Sequence, residues 1–127
     1  LFLAVKDLSY IVKGGRLPRW VKTIADFLHF RPIMTTKNDG SMGAAGIIRG
    51  TSSLPEKMSK FILGKMDTDK SYNVSIGHSN TLADGEKLKE IIQKNHSNLN
   101  SIYLMDLGCA LGVHAGPGSL ATAIQPA

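Results

Sequence analysis

The stretch Pro32-Ile33-Met34-Thr35-Thr36-Lys37-Asn38-Asp39-Gly40 decides the fold class of this 127-residue chain. Its first five residues favour a β-strand, and Asn38-Asp39-Gly40 places a turn former beside a glycine that tolerates positive φ. The pattern predicts a hairpin whose second strand runs to about Ile48. Because a hairpin pairs its two strands antiparallel, the sheet that contains it is not purely parallel.

Three segments outside the hairpin have the apolar spacing of amphipathic helices. The first lies between Pro18 and Phe30, and the other two follow Ser53 and Thr81, which belong to good N-cap residue types. Ser53 also precedes Glu56 by three residues, the spacing of a capping box. We therefore expect each of these segments to form a helix.

The remaining regular segments have strand patterns. Residues 72–76 alternate apolar and polar side chains, residues 102–105 form an apolar run suited to a strand covered on both faces, and residues 119–124 favour a closing strand. Strands and helices thus alternate along the chain around an antiparallel hairpin. The sequence predicts an α/β fold of the α+β-like kind, with a mixed β-sheet and packed helices.

Composition and charge limit the function classes. With 43% hydrophobic residues the chain can bury one core, so we expect a single domain. The sequence has no run of about 18 apolar residues, so it predicts no transmembrane segment. The lone Cys109 fits a cytoplasmic location. The net charge of +5 is scattered without an aromatic ladder, which argues against nucleic-acid binding.

The glycine-rich run from Leu107 to Gly118 is the most unusual stretch of the sequence. We expect a loop there, because glycines at this density let the backbone approach a ligand closely. His114 in its middle can donate a hydrogen bond to a carboxylate. The alternative is a structural histidine that bridges the backbone of the loop.

A second glycine-containing stretch, Lys13-Gly14-Gly15-Arg16-Leu17-Pro18, comes directly before the first predicted helix. Free amides and the positive end of a helix dipole can hold a phosphate or carboxylate at such a place. The alternative is an ordinary turn with a surface arginine. The motif alone does not decide between them.

Neither a metal site nor a thiol nucleophile is predicted. His29, His78 and His96 are isolated, without the spacing of metal ligands on one helix face. Cys109 and His114 have no identifiable acid to orient them, so we expect an inert thiol.

Five blocks of sequence, spread over nearly the whole chain, are specific in combination. They are Tyr10 to Leu17 (YIVKGGRL), Phe30 to Lys37 (FRPIMTTK), Ile48 to Gly50 (IRG), Gly77 to Leu88 (GHSNTLADGEKL) and Gly108 to Gly118 (GCALGVHAGPG). In this order and spacing the chain resembles the C-terminal half of the DegV family. The resemblance implies a two-domain cytoplasmic protein of bacteria that encloses one fatty acid. Residues 1–127 would form its C-terminal lipid-binding domain, and the N-terminal domain would be absent from this chain.

The resemblance also implies roles for single residues. His114 would contribute to binding the fatty-acid carboxylate at the domain junction, together with hydroxyls of the absent domain. Arginines matching Arg16 and Arg49 are associated with docking of a separate fatty acid kinase, to which the bound fatty acid is presented. On this basis we expect the protein to bind a fatty acid as its ligand, to need no cofactor or metal, and not to be an enzyme itself.

A long acyl tail needs a dry slot lined by apolar side chains. Sequence alone does not separate residues that face such a slot from residues that face each other. The candidates for the acyl-tail pocket are Phe27, Leu28, Ile33, Met34, Phe61 and Ile62.

Two other classes of function stay open at this point. A small-molecule phosphotransfer or hydrolytic enzyme would use Arg16 as a phosphate clamp and His114 as an acid, but no nucleophile or base is visible in the sequence. A DNA-binding regulator would use the positive net charge, and its binding would weaken with salt.

Overall fold

The computed structural model describes residues 1–50 and 52–127. Its strands are β1 (Phe2–Ala4), β2 (Phe30–Thr36), β3 (Met42–Arg49), β4 (Tyr72–His78), β5 (Leu99–Asp106) and β6 (Leu120–Pro126). Its helices are α1 (Ser9–Lys13), α2 (Arg19–Phe27), α3 (Leu54–Leu63), α4 (Leu82–Asn95) and α5 (Cys109–Ala115). Within the described residues the strands form a single sheet in the order β3-β2-β1-β6-β4-β5.

The predicted hairpin is confirmed as β2 and β3, which pair antiparallel from Phe30↔Arg49 to Thr36↔Met42. Gly40 has a φ of 83°, which glycine adopts without steric cost, and the Asp39 carboxylate accepts a hydrogen bond from the Ser41 amide. β4 and β5 pair in parallel, while the other neighbouring strands pair antiparallel. The α/β fold with a mixed sheet is therefore confirmed.

The sheet separates two apolar layers. α3 and α4 cover one face, where Met58 and Ile62 are fully buried, and α1 and α5 cover the other, where Ala115 is fully buried. Side chains alternate between faces along a strand, so the neighbours Ile33 and Met34 belong to opposite layers. This division decides which apolar residues can share a cavity.

The glycine-rich run is not the expected loop, because residues 109–115 form helix α5. Gly108 stands at the N-cap and Gly116 follows the helix with a φ of 74°, so only Gly112 lies within it. One interior glycine costs about 1 kcal/mol relative to alanine, which burial of Ala115 and partial burial of Leu111 against the sheet offset.

The expectation for residues 102–105 is also wrong in part. They belong to β5, but β5 is an edge strand, and the side chains of Tyr103 and Met105 are 59% and 49% exposed. Apolar composition alone does not distinguish a covered strand from an edge strand, because that depends on which elements pack outside it.

Helix α3 begins at Leu54 as predicted, but the capping box does not form. Ser53 has a left-handed φ of 55° and makes no side-chain cap hydrogen bond. The Glu56 side chain instead pairs with Lys87 on α4. A contact between two packed helices thus replaces the local contact that the spacing predicts.

Candidate functional site

His114 lies between two cavities on the face of the sheet covered by α1 and α5. The first, called the wide cleft, has a volume of about 490 Å³, and its polar lining side chains are Tyr10, Lys13, Ser79 and His114. The second, called the apolar cavity, has a volume of about 140 Å³ and is lined by Leu3, Ile11, Arg16, Met34, Met42, Leu111 and His114.

The His114 imidazole is held against the backbone of α1. A Cβ added at Gly14 would lie 2.1 Å from His114 Nδ1, so only glycine at position 14 leaves room for the ring. Nδ1 is buried and has no hydrogen-bond partner among the described residues. Nε2 is therefore the ring nitrogen that a ligand can reach.

The wide cleft is built from three chain segments. The Tyr10 ring packs on Gly116, where an added Cβ would come within 2.4 Å of the ring, and the Lys13 ammonium lies 5.9 Å from the centre of the same ring. Ser79 contributes from the turn after β4. The end of α1, the end of α5 and the turn after β4 thus meet around His114.

The stretch around Gly14-Gly15-Arg16 does not form the anion-binding loop that the sequence allows. The amides of Gly14, Gly15 and Arg16 donate to carbonyls of α1, namely those of Tyr10, Val12 and Ile11. These amides complete the C-terminal end of α1 and are not free to bind a ligand. The Arg16 side chain is exposed and lines the apolar cavity.

Of the six predicted acyl-tail residues, the structure brings Met34 to the apolar cavity with His114. Ile33 and Ile62 are fully buried in the layer under α3, and the Phe61 ring packs edge-on against Phe2 at 5.2 Å between centroids. The six residues do not line one cavity, because the sheet stands between the two layers.

Phe27 and Leu28, also predicted for the tail, lie at the end of α2 and are 81% and 44% exposed. α2 contributes Ala25 to the buried layer, whereas Trp20, Ile24 and Leu28 are exposed and line a separate apolar hollow at the hairpin. Helical periodicity identified an amphipathic helix correctly, but the buried side is the one carrying the small alanine.

Most of the residues that line the apolar cavity have no signal in the sequence. They come from four separate segments of the chain, and no local spacing links them. They are Leu3 of β1, Ile11 of α1, Met42 of β3 and Leu111 of α5.

The two arginines predicted for partner docking line different hollows. Arg16 stands at the apolar cavity, whereas Arg49 is exposed at the end of edge strand β3, with its guanidinium 5.4 Å from the centre of the Phe30 ring. A surface that used both would extend across the hairpin side of the domain.

Two of the other histidines, His78 and His96, have local partners. His78 Nε2 lies 3.4 Å from the Asp106 carboxylate across β4 and β5, and His96 contacts the Asp67 carbonyl and the Tyr72 ring. In the described part of the chain, no three His, Cys, Asp or Glu side chains gather as metal ligands. No described helix is long and apolar enough to span a bilayer.

Comparison with known proteins agrees with this architecture. The model of the DegV family, described as an uncharacterised protein family, matches residues 1–127. The chain belongs to the DegV family. A DegV domain-containing protein of Clostridium perfringens is 31% identical to it over 124 residues, covering 98% of this chain and 43% of the relative. The chain thus spans less than half the length of this DegV relative.

Solved DegV structures show the same fold. A fatty acid binding DegV family protein of Streptococcus agalactiae is 26% identical, with a TM-score of 0.76 over 99% of this chain and 44% of that chain. The Fatty Acid Kinase (Fak) B3 protein of Streptococcus pneumoniae, solved with linoleic acid, is 15% identical, with a TM-score of 0.77 over 98% of this chain and 43% of that chain.

Proposed function

We propose that this DegV domain binds a long-chain fatty acid, with the tail in the apolar cavity and the carboxylate at His114. The observation that carries the proposal is the place of His114, which lines both an apolar cavity and a cleft with polar side chains. A fatty acid has the same division between an apolar tail and a charged head. The name of the Streptococcus agalactiae relative, a fatty acid binding protein, supports the proposal.

Burial of the tail supplies most of the binding free energy. Each methylene removed from water contributes about 0.8 kcal/mol before ordering costs. The apolar cavity has a volume of about 140 Å³, which is below the ~300–1,000 Å³ of typical ligand pockets. A long tail therefore requires the lining side chains to repack, and Met34 and Met42 are flexible enough to do so.

The carboxylate needs more donors than His114 alone. A charge removed from water without a full set of hydrogen bonds costs several kcal/mol. Because the Clostridium perfringens relative is more than twice as long as the matched region, we propose that hydroxyls of a second domain complete the site at a domain junction.

We further propose that the domain presents the bound fatty acid to a kinase. One structural relative is named as the B3 protein of a fatty acid kinase. Arg16 stands at the apolar cavity and Arg49 on the hairpin side, and both side chains are exposed. They would meet acidic groups of the kinase as rim charges, which govern encounter and partner choice.

The competing enzyme hypothesis rests on Arg16 and His114, which do line the same cavity. The other residues of that lining are apolar and offer neither a nucleophile nor a base. Cys109 is exposed and lines neither the wide cleft nor the apolar cavity. The wide cleft adds Tyr10, Lys13 and Ser79, but no carboxylate among the described residues lines it to orient His114. The geometry therefore favours binding over catalysis by this domain.

Extraction of the native full-length protein tests the proposal. The protein is purified without detergent and extracted with organic solvent, and the extract is analysed by mass spectrometry. We expect about one fatty acid per molecule, and delipidated protein should rebind it. A protein that releases none and takes up none does not have this function, and a phosphorylated histidine in the denatured protein would support the enzyme hypothesis instead.

A further inference from the structure

The polar side of the wide cleft contains a hydroxyl that the proposed site has not yet used. Ser79 lines the cleft together with His114, although it comes from a different segment of the chain, the turn between β4 and α4. Its side chain is half-buried, and its hydroxyl makes no hydrogen bond with any residue that the structure describes. A donor in this position is available to a ligand.

The backbone holds Ser79 in place without help from its side chain. The Ser79 amide donates to the Ser119 carbonyl at 3.0 Å, and the Gly118 amide donates to the Ser79 carbonyl at 2.7 Å. These two bonds tie the turn after β4 to the segment that follows α5, the helix that carries His114. The positions of Ser79 and His114 are thus coupled through the backbone.

The neighbouring hydroxyl groups are already engaged. The Ser119 hydroxyl donates to the Ala115 carbonyl at 2.7 Å, and the Thr81 hydroxyl donates to Asp84 at 2.6 Å. The residues that directly follow His114, Ala115 and Gly116, have no polar side chain. Among the serines and threonines that the structure describes, Ser79 is the one that lines the wide cleft, and its hydroxyl has no hydrogen-bond partner there.

We propose that the Ser79 hydroxyl is a second ligand of the fatty-acid carboxylate, donating to one carboxylate oxygen while His114 Nε2 donates to the other. This inference rests on the proposed function. A carboxylate accepts hydrogen bonds on both oxygens, and its burial becomes less costly with each donor. With Ser79, this domain itself supplies two of the donors that bind the carboxylate. The site should therefore bind a fatty acid more tightly than an uncharged lipid of the same chain length.

The test uses the full-length protein and compares Ser79→Ala, Ser79→Thr, His114→Ala and the double variant with wild type. A fatty acid and the primary alcohol of the same chain length are titrated into each. Ser97→Ala is the matched control, because Ser97 is exposed and lines neither the wide cleft nor the apolar cavity.

We expect Ser79→Ala to weaken fatty-acid binding about ten- to hundredfold and alcohol binding much less, because a hydrogen bond to a charged group is stronger than a neutral one. Ser79→Thr, which keeps the hydroxyl, should restore most of the loss. The double variant should lose less than the product of the two single losses, since both residues bind one carboxylate. Ser97→Ala should bind like wild type.

The outcomes separate this inference from the function on which it rests. If wild type binds fatty acid and His114→Ala weakens that binding, while Ser79→Ala binds like wild type, the role of Ser79 is wrong and the proposed function stands. Equal losses for acid and alcohol would also overturn it, since they indicate a structural effect. If wild type itself binds no fatty acid, the proposed function fails and this inference with it.

Discussion

The His114 imidazole lies directly on Gly14, with room for a hydrogen atom but not for a methyl group between them. A Cβ at position 14 would come within 2.1 Å of Nδ1 and 2.8 Å of Cε1. The φ of Gly14 is −75°, which any residue can adopt, so the backbone does not require glycine here. The glycine is required by the histidine, and this contact fixes the ring between the two cavities.

Gly14→Ala should therefore act on the ligand site and not on the backbone. We expect the added methyl group to displace the His114 ring and weaken fatty-acid binding about tenfold, with a loss of roughly 1–3 kcal/mol in the free energy of unfolding from overpacking. Ligand titration and denaturant unfolding of the full-length protein measure both. Gly108→Ala is the control, because an added Cβ there meets nothing within 4 Å. Similar binding by the two variants would show that the position of the ring is unimportant.

His114→Ala in the full-length protein should weaken fatty-acid binding by about 1.5–3 kcal/mol, the cost of losing a hydrogen bond to a charged group. Its fold should remain intact, because the ring makes no hydrogen bond within the described residues. Cys109→Ala on the same helix is the control, since Cys109 is exposed and lines neither the wide cleft nor the apolar cavity. A stable His114→Ala protein with an unchanged dissociation constant would remove His114 from the site.

Leu111→Trp and Ile62→Ala distinguish cavity from core. Leu111 lines the apolar cavity, so a larger side chain there should shift the preference toward shorter fatty acids. Ile62 is a fully buried residue of α3, and its truncation should cost about 2–5 kcal/mol in the free energy of unfolding without changing that preference. A series of fatty acids of increasing length, titrated into both variants, checks this. The reverse result would place the tail on the α3 side of the sheet.

Arg16→Glu and Arg49→Glu should each slow transfer of a phosphoryl group to the bound fatty acid by the cognate kinase, because rim charges mainly control encounter. Binding of fatty acid should change little for Arg49→Glu, whose side chain lies away from the apolar cavity. Kinase turnover at several salt concentrations is the measurement. Wild-type turnover by both variants would mean that the partner docks elsewhere.

The ion pair between Glu56 and Lys87 should make stability depend on pH. The hydrogen bond from Lys87 holds the pKa of Glu56 below its usual 4.5, so the stability it contributes is present above that pH and lost as the pH falls through the folded pKa. The hydrogen bond with Glu56 in turn raises the pKa of Lys87 above its usual 10.5. The stability that charged Lys87 contributes is therefore present at neutral pH and is lost only in strong alkali.

Glu56→Gln should therefore lower Tm at neutral pH, and the difference from wild type should vanish as the pH falls below the lowered pKa of Glu56. Thermal unfolding across this pH range measures it. Glu86→Gln on α4 is the control, because Glu86 is exposed and has no ion pair among the described residues. A difference that is constant with pH would show that the effect of Glu56 is not ionic.

Local signals in the sequence determined the elements that depend on local geometry. The hairpin follows from Asn38-Asp39-Gly40, because the turn needs a positive φ that glycine supplies at position 40. The helical spacing after Ser53 and Thr81 predicted α3 and α4, since one side of each helix must be apolar to pack on the sheet. The mixed sheet follows from that hairpin and the alternation of elements around it.

Only the tertiary structure decided where the site lies. Ile33 and Met34 are neighbours of similar character, yet alternation across the sheet places one in the core under α3 and the other beside His114. Gly14, Ser79 and His114 are far apart in the sequence and meet because β1, β6 and β4 are adjacent in the sheet. A cavity is lined by residues from separate helices and strands. The spacing of residues along the chain does not predict which faces of these elements pack against each other.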